Sequence, residues 1–335
     1  MPLRLKIALV CACLWSTVSC AGDNYAAHPA ALQLVDQLVA EEGFDREQLL
    51  EVFAAAERKE SILEAIARPA EKTKPWYEYR EIFLTDKREQ QGLEFFSEHR
   101  ETLERAEREL GVPASIIVAV IGVETSYGRN TGSFRVIDAL STLAFDYPSR
   151  SKFFTSELRN YLVLARDQGF DPLELKGSYA GAMGYGQFMP SSYRAYAIDF
   201  DGDEVIDIWN NPVDAIGSVA NYFKRHGWRT GETVVAPADA QREVPEAMLS
   251  RGRSLDLEHT VAEFAAAGLV PREPLDPEAQ AIAIQFELPD AFEYWLGLHN
   301  FYVITRYNRS AMYAMSVYQL SERIAARAPT LVASQ

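Results

Sequence analysis

The sequence predicts a mainly α protein with a small mixed α/β subdomain, and three observations carry that prediction. Apolar residues recur at helical spacing over two long stretches, Pro29 to about Ala70 and Thr85 to Leu110. The run Ile116 to Val123 is apolar throughout and is framed by Pro113 and by the glycines at 128 and 132, so it reads as a buried helix. Strand-like segments are confined to one region, Glu232 to Pro237 and Ala281 to Phe286, around a helical pattern near Thr260 to Ala267 and proline-rich turns. With 335 residues the chain is long enough for two or three domains, and its 16 Tyr, 17 Phe and 5 Trp argue against disorder.

The chain opens on a charged start, an apolar core from Ile7 to Leu14 and a small-residue region ending at Cys20. This is the pattern of a secretion signal over residues 1–20, too short to persist as a membrane-spanning helix. Loss of Arg4 and Lys6 moves the formal net charge from -15 to -17. An acidic exported chain lacks the basic face that nucleic acid demands. The three cysteines, Cys11, Cys13 and Cys20, all fall in this leader, so the folded part has no disulfide. Val18-Ser19-Cys20 resembles a bacterial lipoprotein processing site, although Thr17 stands where leucine is usual. Lipidation of Cys20 followed by Ala21 would place the protein on the outer membrane, facing the periplasm; the competing outcome is simple cleavage.

Residues Leu32, Leu34, Val35, Leu38 and Val39, then Leu49, Leu50, Val52 and Phe53, give a helical hairpin. Glu71 to Pro75 breaks it, and Trp76 to Arg80 starts a segment of aromatics that look exposed. Thr85 to Leu110 reads as one long amphipathic helix with Glu104, Arg105, Glu107 and Arg108 on its solvated face. The block from Val112 to Trp228 is richer in Gly, Tyr and apolar residues and reads as a mostly helical core, and the tail from Ser310 to Ala326 returns to helix. The division that follows is residues 21–75, completed by a C-terminal helix at about 308–335, then 76–230, then 231–307.

Glu124 ends the apolar run and is followed at once by Thr125-Ser-Tyr-Gly128. Apolar surroundings and the negative end of a helix dipole both disfavour the ionised carboxyl, which is what a general acid requires. The bland alternative is a structural glutamate paired with an arginine such as Arg129. A second constellation runs from Gly177 to Tyr193, where four glycines at 177, 181, 184 and 186 let the backbone approach a ligand while Ser178, Tyr185 and Gln187 supply hydrogen-bonding groups. Its alternative is a glycine-rich turn between packed helices.

Together, Ala119-Val-Ile-Gly-Val-Glu-Thr-Ser-Tyr-Gly128 and Gly181-Ala-Met-Gly-Tyr-Gly-Gln-Phe-Met-Pro190 resemble the lytic murein transglycosylase B family. The resemblance continues through Asp214 to Phe223 and Ile304 to Asn308, in the family's order. It implies a lysozyme-like core flanked by an α-helical domain and a small β-containing domain. It also implies cleavage of the β-1,4 bond between N-acetylmuramic acid and N-acetylglucosamine without water, leaving a 1,6-anhydromuramoyl end, with peptidoglycan strands as partner and a monomeric enzyme. Carried over by position, Glu124 is the single catalytic acid, and Ser178, Gln187, Tyr222, Tyr307, Asn308 and Tyr313 line the glycan groove. Tyrosines suit a sugar's apolar face, while an isolated tyrosine such as Tyr307 or Tyr313 is as readily a core residue. Ordinary glycosidases use two carboxylates roughly 5–9.5 Å apart. A second acid stays open here, with Asp138 and Asp146 as candidates, and so do a water-using muramidase and a silent glycan-binding scaffold.

Asp199-Phe-Asp-Gly-Asp-Glu-Val-Ile-Asp follows the calcium loop of an EF-hand, with Asp199, Asp201 and Asp203 at positions one, three and five and the Val205 carbonyl at seven. Glu204 stands where glycine makes the turn, and Asn210 replaces the closing glutamate. The resemblance implies that Asp214 closes the loop and that bound Ca²⁺ is structural; the alternative is a solvated acidic turn. The five histidines, His28, His99, His226, His259 and His299, show no metal-ligand spacing, and no Gly-x-Ser-x-Gly turn supports a serine hydrolase. No organic cofactor is implied.

Overall fold

The computed structural model describes residues 24–68, 74–250 and 255–332, so the leader and Cys20 lie outside the described residues. Helix α1 (Pro29–Glu42) begins on a proline and ends at Gly43, whose φ of 70° is left-handed. Helix α2 (Arg46–Ala55) is capped by Asp45, whose carboxylate accepts the Gln48 N–H at 2.9 Å, and α3 (Glu60–Ile66) follows. Leu34, Val35, Leu38, Leu49 and Phe53 form their buried face.

The segment expected to expose its aromatics does the opposite. Helix α4 (Trp76–Phe83) buries Trp76 and Tyr79. The predicted single helix over Thr85 to Leu110 is two, α5 (Asp86–Glu98) and α6 (Arg100–Leu110), broken at His99 with φ -110° and ψ 24°. The break places Leu103 and Ala106 in the core and lets the Arg105 guanidinium lie 3.8 Å from the Phe200 ring centroid. Arg105 is therefore not part of a freely solvated face.

Helix α7 (Ala114–Thr125) carries ten buried residues, with Ile117 to Ile121 fully enclosed. A helix apolar on every side is stable only as the centre of a bundle. Strand β1 (Phe134–Arg135) leads into α8 (Val136–Asp146) and α9 (Ser151–Asp167), and β1 pairs antiparallel with β2 (Lys176–Gly177). Two helices that begin on proline follow, α10 (Pro190–Tyr196) and α11 (Pro212–Arg225). Helices α1 and α3 pack on α9 and α8.

The mixed region holds β3 (Val235–Ala240), β4 (Leu249–Ser250), β5 (His259–Thr260), α12 (Val261–Ala266), β6 (Leu269–Pro271), β7 (Gln280–Glu287) and β8 (Phe292–Gly297). The sheet order is β4-β7-β8-β3-β6, with β5 also on β7; only the β4–β7 pair is parallel. β7 matches expectation to within a residue, whereas β8 has no counterpart in the sequence reading. Helix α13 (His299–Tyr307) leads to α14 (Ala311–Val332), which packs on α7, α5 and α4.

Trp76 joins the helical and sheet parts: its ring stacks on Phe286 at 4.6 Å and its Nε1–H donates to Glu293 Oε1 at 2.7 Å. Trp76→Ala is expected to cost about 3–5 kcal/mol. Trp76→Phe, which keeps a ring against Phe286, is expected to cost distinctly less, as read from the midpoint of denaturant unfolding.

Candidate active site

Glu124 occupies the last turn of α7, half-buried, where the chain reverses. Ser126 and Tyr127 adopt φ of 52° and 63°, two consecutive non-glycine residues in the left-handed region, each costing on the order of 1–2 kcal/mol. Packing sustains that strain. The Tyr127 ring folds back over Gly122, where a Cβ would meet ring atoms at 2.6 Å, and its hydroxyl donates to the Arg88 carbonyl at 2.9 Å. The Arg88 guanidinium donates in turn to the Gly122 carbonyl, which also accepts the Ser126 N–H at 3.0 Å. The Thr125 hydroxyl lies 2.9 Å from the Tyr185 carbonyl and 3.1 Å from the Ile121 carbonyl, and accepts the Gly128 N–H at 3.0 Å. Glu124 is thus held by a rigid, over-determined turn.

Across the chain, the Tyr313 hydroxyl on α14 donates to Glu124 Oε1 at 2.6 Å. Burial, reinforced by the Glu124 charge, pushes both the Tyr313 and Tyr307 hydroxyls well above the ordinary phenol range. Both phenols therefore stay protonated beside the carboxyl. Arg129, the alternative partner for Glu124, donates to the Ser126 carbonyl at 3.2 Å and lies 3.8 Å from Glu94.

The glycine-rich loop sits against this turn. Tyr185 packs over Gly128. Gln187, at φ 50°, donates its amide N–H groups to the carbonyls of Thr131 at 3.1 Å and Gly184 at 3.0 Å, tying the loop to the turn. The Ser178 hydroxyl accepts from the N–H groups of Ala180 and Ala182 at 3.3 and 3.0 Å, and both residues remain half-exposed. The Tyr307 hydroxyl donates to the Gly186 carbonyl and the Tyr222 hydroxyl to the Arg306 carbonyl, each at 2.6 Å. The two rings meet edge to face at 4.7 Å, and Tyr222 also stacks on His226 at 4.0 Å. Asn308 ends α13, half-buried, with no side-chain hydrogen bond among the described residues.

The two candidate second acids are engaged elsewhere. Asp138 is buried under the Arg135 guanidinium at 2.9 Å and accepts the Glu57 N–H at 2.8 Å. Asp146 accepts the Tyr25 hydroxyl at 2.6 Å and lies 3.5 Å from Arg58.

In the acidic loop, oxygens of Asp199, Asp201 and Asp203 lie within 4.8 Å of one another. The Gly202 N–H, with those of Glu204 and Asp203, holds the Asp199 carboxyl below its usual range. Glu204 takes the turn without glycine, at φ 73°. Asp214 is fully buried on α11 and accepts the N–H groups of Phe200 at 2.7 Å and Asp207 at 2.8 Å, clasping both arms of the loop; burial raises its carboxyl despite those bonds. The Asp207 carboxylate accepts from the N–H groups of Trp209 and Asn210. Phe200 lies over Gly217, whose missing Cβ leaves room for the ring. Three converging carboxylates and an all-oxygen donor set fit a hard divalent cation.

One carboxyl at the end of a buried central helix thus meets a wall of tyrosines that is itself bonded to the glycine-rich loop, an arrangement that suits a glycan-binding cleft. Residues 27–322 match the transglycosylase SLT domain family. The chain is 46% identical over 314 residues to the membrane-bound lytic murein transglycosylase B of Escherichia coli strain K12, covering 91% of this chain and 85% of that protein. The crystal structure of catenated lytic transglycosylase SltB1 from Pseudomonas aeruginosa superposes with a TM-score of 0.88 at 54% identity, over 91% of this chain and 100% of that one. The Escherichia coli lytic transglycosylase Slt35 in complex with calcium superposes with a TM-score of 0.84 at 45% identity, over 92% and 96%. The chain belongs to the lytic murein transglycosylases of the SLT domain family.

Sequence reasoning overlooked Arg88, Thr125 and Tyr127. Gly122, a lone glycine inside an otherwise bulky apolar helix, was the available signal that something packs closely there. Gly122→Ala is expected to cost about 1–3 kcal/mol through overlap with the rigid Tyr127 ring. It should also lower turnover at temperatures where the variant is folded, because the turn holding Glu124 shifts; unfolding curves and rates measured side by side separate the two effects.

Proposed function

We propose that the protein cleaves the β-1,4 bond between N-acetylmuramic acid and N-acetylglucosamine in peptidoglycan and leaves 1,6-anhydromuramoyl ends, with Glu124 as acid and then base. The observation that carries this reading is a single buried-side carboxyl whose Oε1 is held by a neutral tyrosine at 2.6 Å, while Asp138 and Asp146 are committed to other partners. A donor on Oε1 leaves the proton of the acid form to Oε2. That proton passes to the glycosidic oxygen as the C1–O bond breaks, and the substrate's acetamido carbonyl stabilises the cation at C1. Glu124, now a carboxylate, takes the proton of the muramoyl 6-hydroxyl, whose oxygen closes on C1. No water is consumed, and Glu124 ends protonated again.

Ser178, Tyr185, Gln187, Tyr222, Tyr307 and Asn308 are read as groove residues. The amide N–H groups of Gln187 and the phenols of Tyr222 and Tyr307 donate inside the fold, so the Ser178 hydroxyl proton, the Tyr185 hydroxyl, the Gln187 carbonyl and the Asn308 amide are the groups left to meet sugar hydroxyls and acetamides. Tyr313 acts on the acid itself. Asp199, Asp201, Asp203 and Asp214 with the Val205 carbonyl are read as the holders of a structural Ca²⁺, Asp214 also bracing both arms of the loop through the Phe200 and Asp207 N–H groups, in keeping with the calcium complex of a relative. A lipid on Cys20 would anchor the monomer to the outer membrane, facing the periplasm, which accords with the name of the membrane-bound relative. Among the described residues no helix is long and apolar enough to cross a membrane.

Wild-type protein on purified sacculi is expected to release muropeptides one water lighter in mass than hydrolytic products, and Glu124→Gln to lower the rate about 10²–10⁴-fold with an unchanged melting temperature. Reducing ends instead of anhydro ends, or full activity in the variant, would overturn the mechanism. For the metal, the melting temperature is expected to rise with Ca²⁺ concentration and to fall with a chelator, and the Ca²⁺ response to vanish in Asp201→Asn/Asp203→Asn.

A further inference from the structure

One peptide of the glycine-rich loop is bonded on both sides. The Tyr185 N–H donates to the Ile208 carbonyl of the acidic loop at 3.0 Å, and the Tyr185 carbonyl accepts the hydroxyl of Thr125, the neighbour of Glu124, at 2.9 Å. Thr125 is buried, and its oxygen also accepts the Gly128 N–H at 3.0 Å, so the connection enters the strained turn itself. Gly184 lies so near the acidic loop that a Cβ there would overlap the Ile208 carbonyl. A second strut leaves the acidic loop at Trp209, whose Nε1–H donates at 2.9 Å to the carbonyl of Lys176, two residues before Ser178. Gln187 ties the same glycine-rich loop to the Thr131 carbonyl at 3.1 Å. The acidic loop, the loop carrying Ser178 and Gln187, and the turn carrying Glu124 thus form one hydrogen-bonded unit.

The arm of the acidic loop that holds Ile208 is anchored by the Asp207 N–H on Asp214 and the Ile206 N–H on the Gln168 side chain, each at 2.8 Å. Opposite that arm, the carboxylates of Asp199, Asp201 and Asp203 converge within 4.8 Å, and their mutual repulsion loosens the loop unless a cation balances it. A cation held by these groups and by the Val205 carbonyl fixes the arm three residues before Ile208, and with it the Tyr185 peptide. A sugar bonded to Ser178 and Gln187 fixes the same loop from the groove side. We propose that Ca²⁺ in the acidic loop and glycan in the groove bind cooperatively, the coupling passing through the Tyr185 peptide to the turn of Glu124. The cost of ordering the shared unit falls on whichever ligand binds first, and the second binds more tightly for that reason. This rests on the calcium and peptidoglycan readings above and adds to the ion's structural role a link to the groove.

The test measures binding in a Glu124→Gln background, where strands are not cut. Chelator-treated protein is titrated with Ca²⁺ in a calorimeter, with and without saturating soluble glycan strands, and then with glycan, with and without Ca²⁺. Glycan is expected to tighten Ca²⁺ binding about 5–20-fold, and Ca²⁺ to tighten glycan binding by the same factor, since coupling between two sites is reciprocal. Adding Thr125→Val, which keeps the shape and removes the hydroxyl that meets Tyr185, is expected to reduce both factors to less than about twofold while Ca²⁺ affinity without glycan changes less than about threefold. Without any further substitution, Ca²⁺ is also expected to slow hydrogen exchange at the amides of Tyr185 and Gly128. Ca²⁺ binding that is equally tight with and without glycan would overturn the coupling alone, and full coupling in the Thr125→Val protein would overturn its route. Absence of Ca²⁺ binding would overturn the calcium reading along with it, and absence of glycan binding the peptidoglycan reading.

Discussion

The 2.6 Å hydrogen bond from Tyr313 to Glu124 joins residues 189 positions apart and sets the conditions for the rest of the structure. It can form only if α14 lies against the end of α7, and α7 is apolar on all sides, so the surrounding helices must enclose it before its terminal carboxyl is placed. The acid is therefore positioned by the core. On one side the buried phenol fixes an oxygen; on the other, two left-handed residues turn the chain away at once, so that no further helical turn follows the carboxyl. That arrangement costs a few kcal/mol of backbone strain, offset by the burial of Tyr127 on Gly122 and its bond to the Arg88 carbonyl.

The helices were legible where the signal lies within one segment, as an apolar stripe in α1 and α2 and as an unbroken apolar run between Pro113 and Gly128 in α7. What depends on distant partners was not. Trp76 and Tyr79 look like surface aromatics in a charged segment and are buried because β7 and α14 arrive from more than 200 residues away to cover them. The break at His99 leaves no mark in helix propensity; what goes with it lies far along the chain, where Arg105 meets the Phe200 carbonyl and ring 95 residues on. Strand β8 shows no alternation in its Phe292-Glu-Tyr-Trp-Leu-Gly297, its burial rising only at Leu296 and Gly297, and it takes its place from pairing with β7 and β3.

The acidic loop shows the same division between local pattern and long-range support. Its aspartates are spaced as a calcium loop, and the departure at Glu204 suggests a turn that cannot be made. The turn is made at φ 73°, because Asp214 clasps both arms from α11 and Phe200 is packed between Arg105 and the bare face of Gly217. A side chain forced into the left-handed region costs about 1–2 kcal/mol, an amount that two backbone bonds to a buried carboxylate can outweigh.

The same accounting of donors divides the aromatic residues near Glu124 into two kinds. A tyrosine hydroxyl has one proton, and those of Tyr222 and Tyr307 are given at 2.6 Å to the carbonyls of Arg306 and Gly186. Sugar contact by these residues would thus be through ring faces, while their hydroxyls brace α13 and the glycine-rich loop. Tyr313 is of the other kind, since its proton goes to Glu124, the carboxyl proposed to react. Replacing any of the three by phenylalanine keeps the ring and removes the donor. At Tyr222 and Tyr307 the carbonyl left behind belongs to the scaffold, and at Tyr313 it belongs to the acid, so only the last substitution acts on the chemistry without first loosening the wall around it.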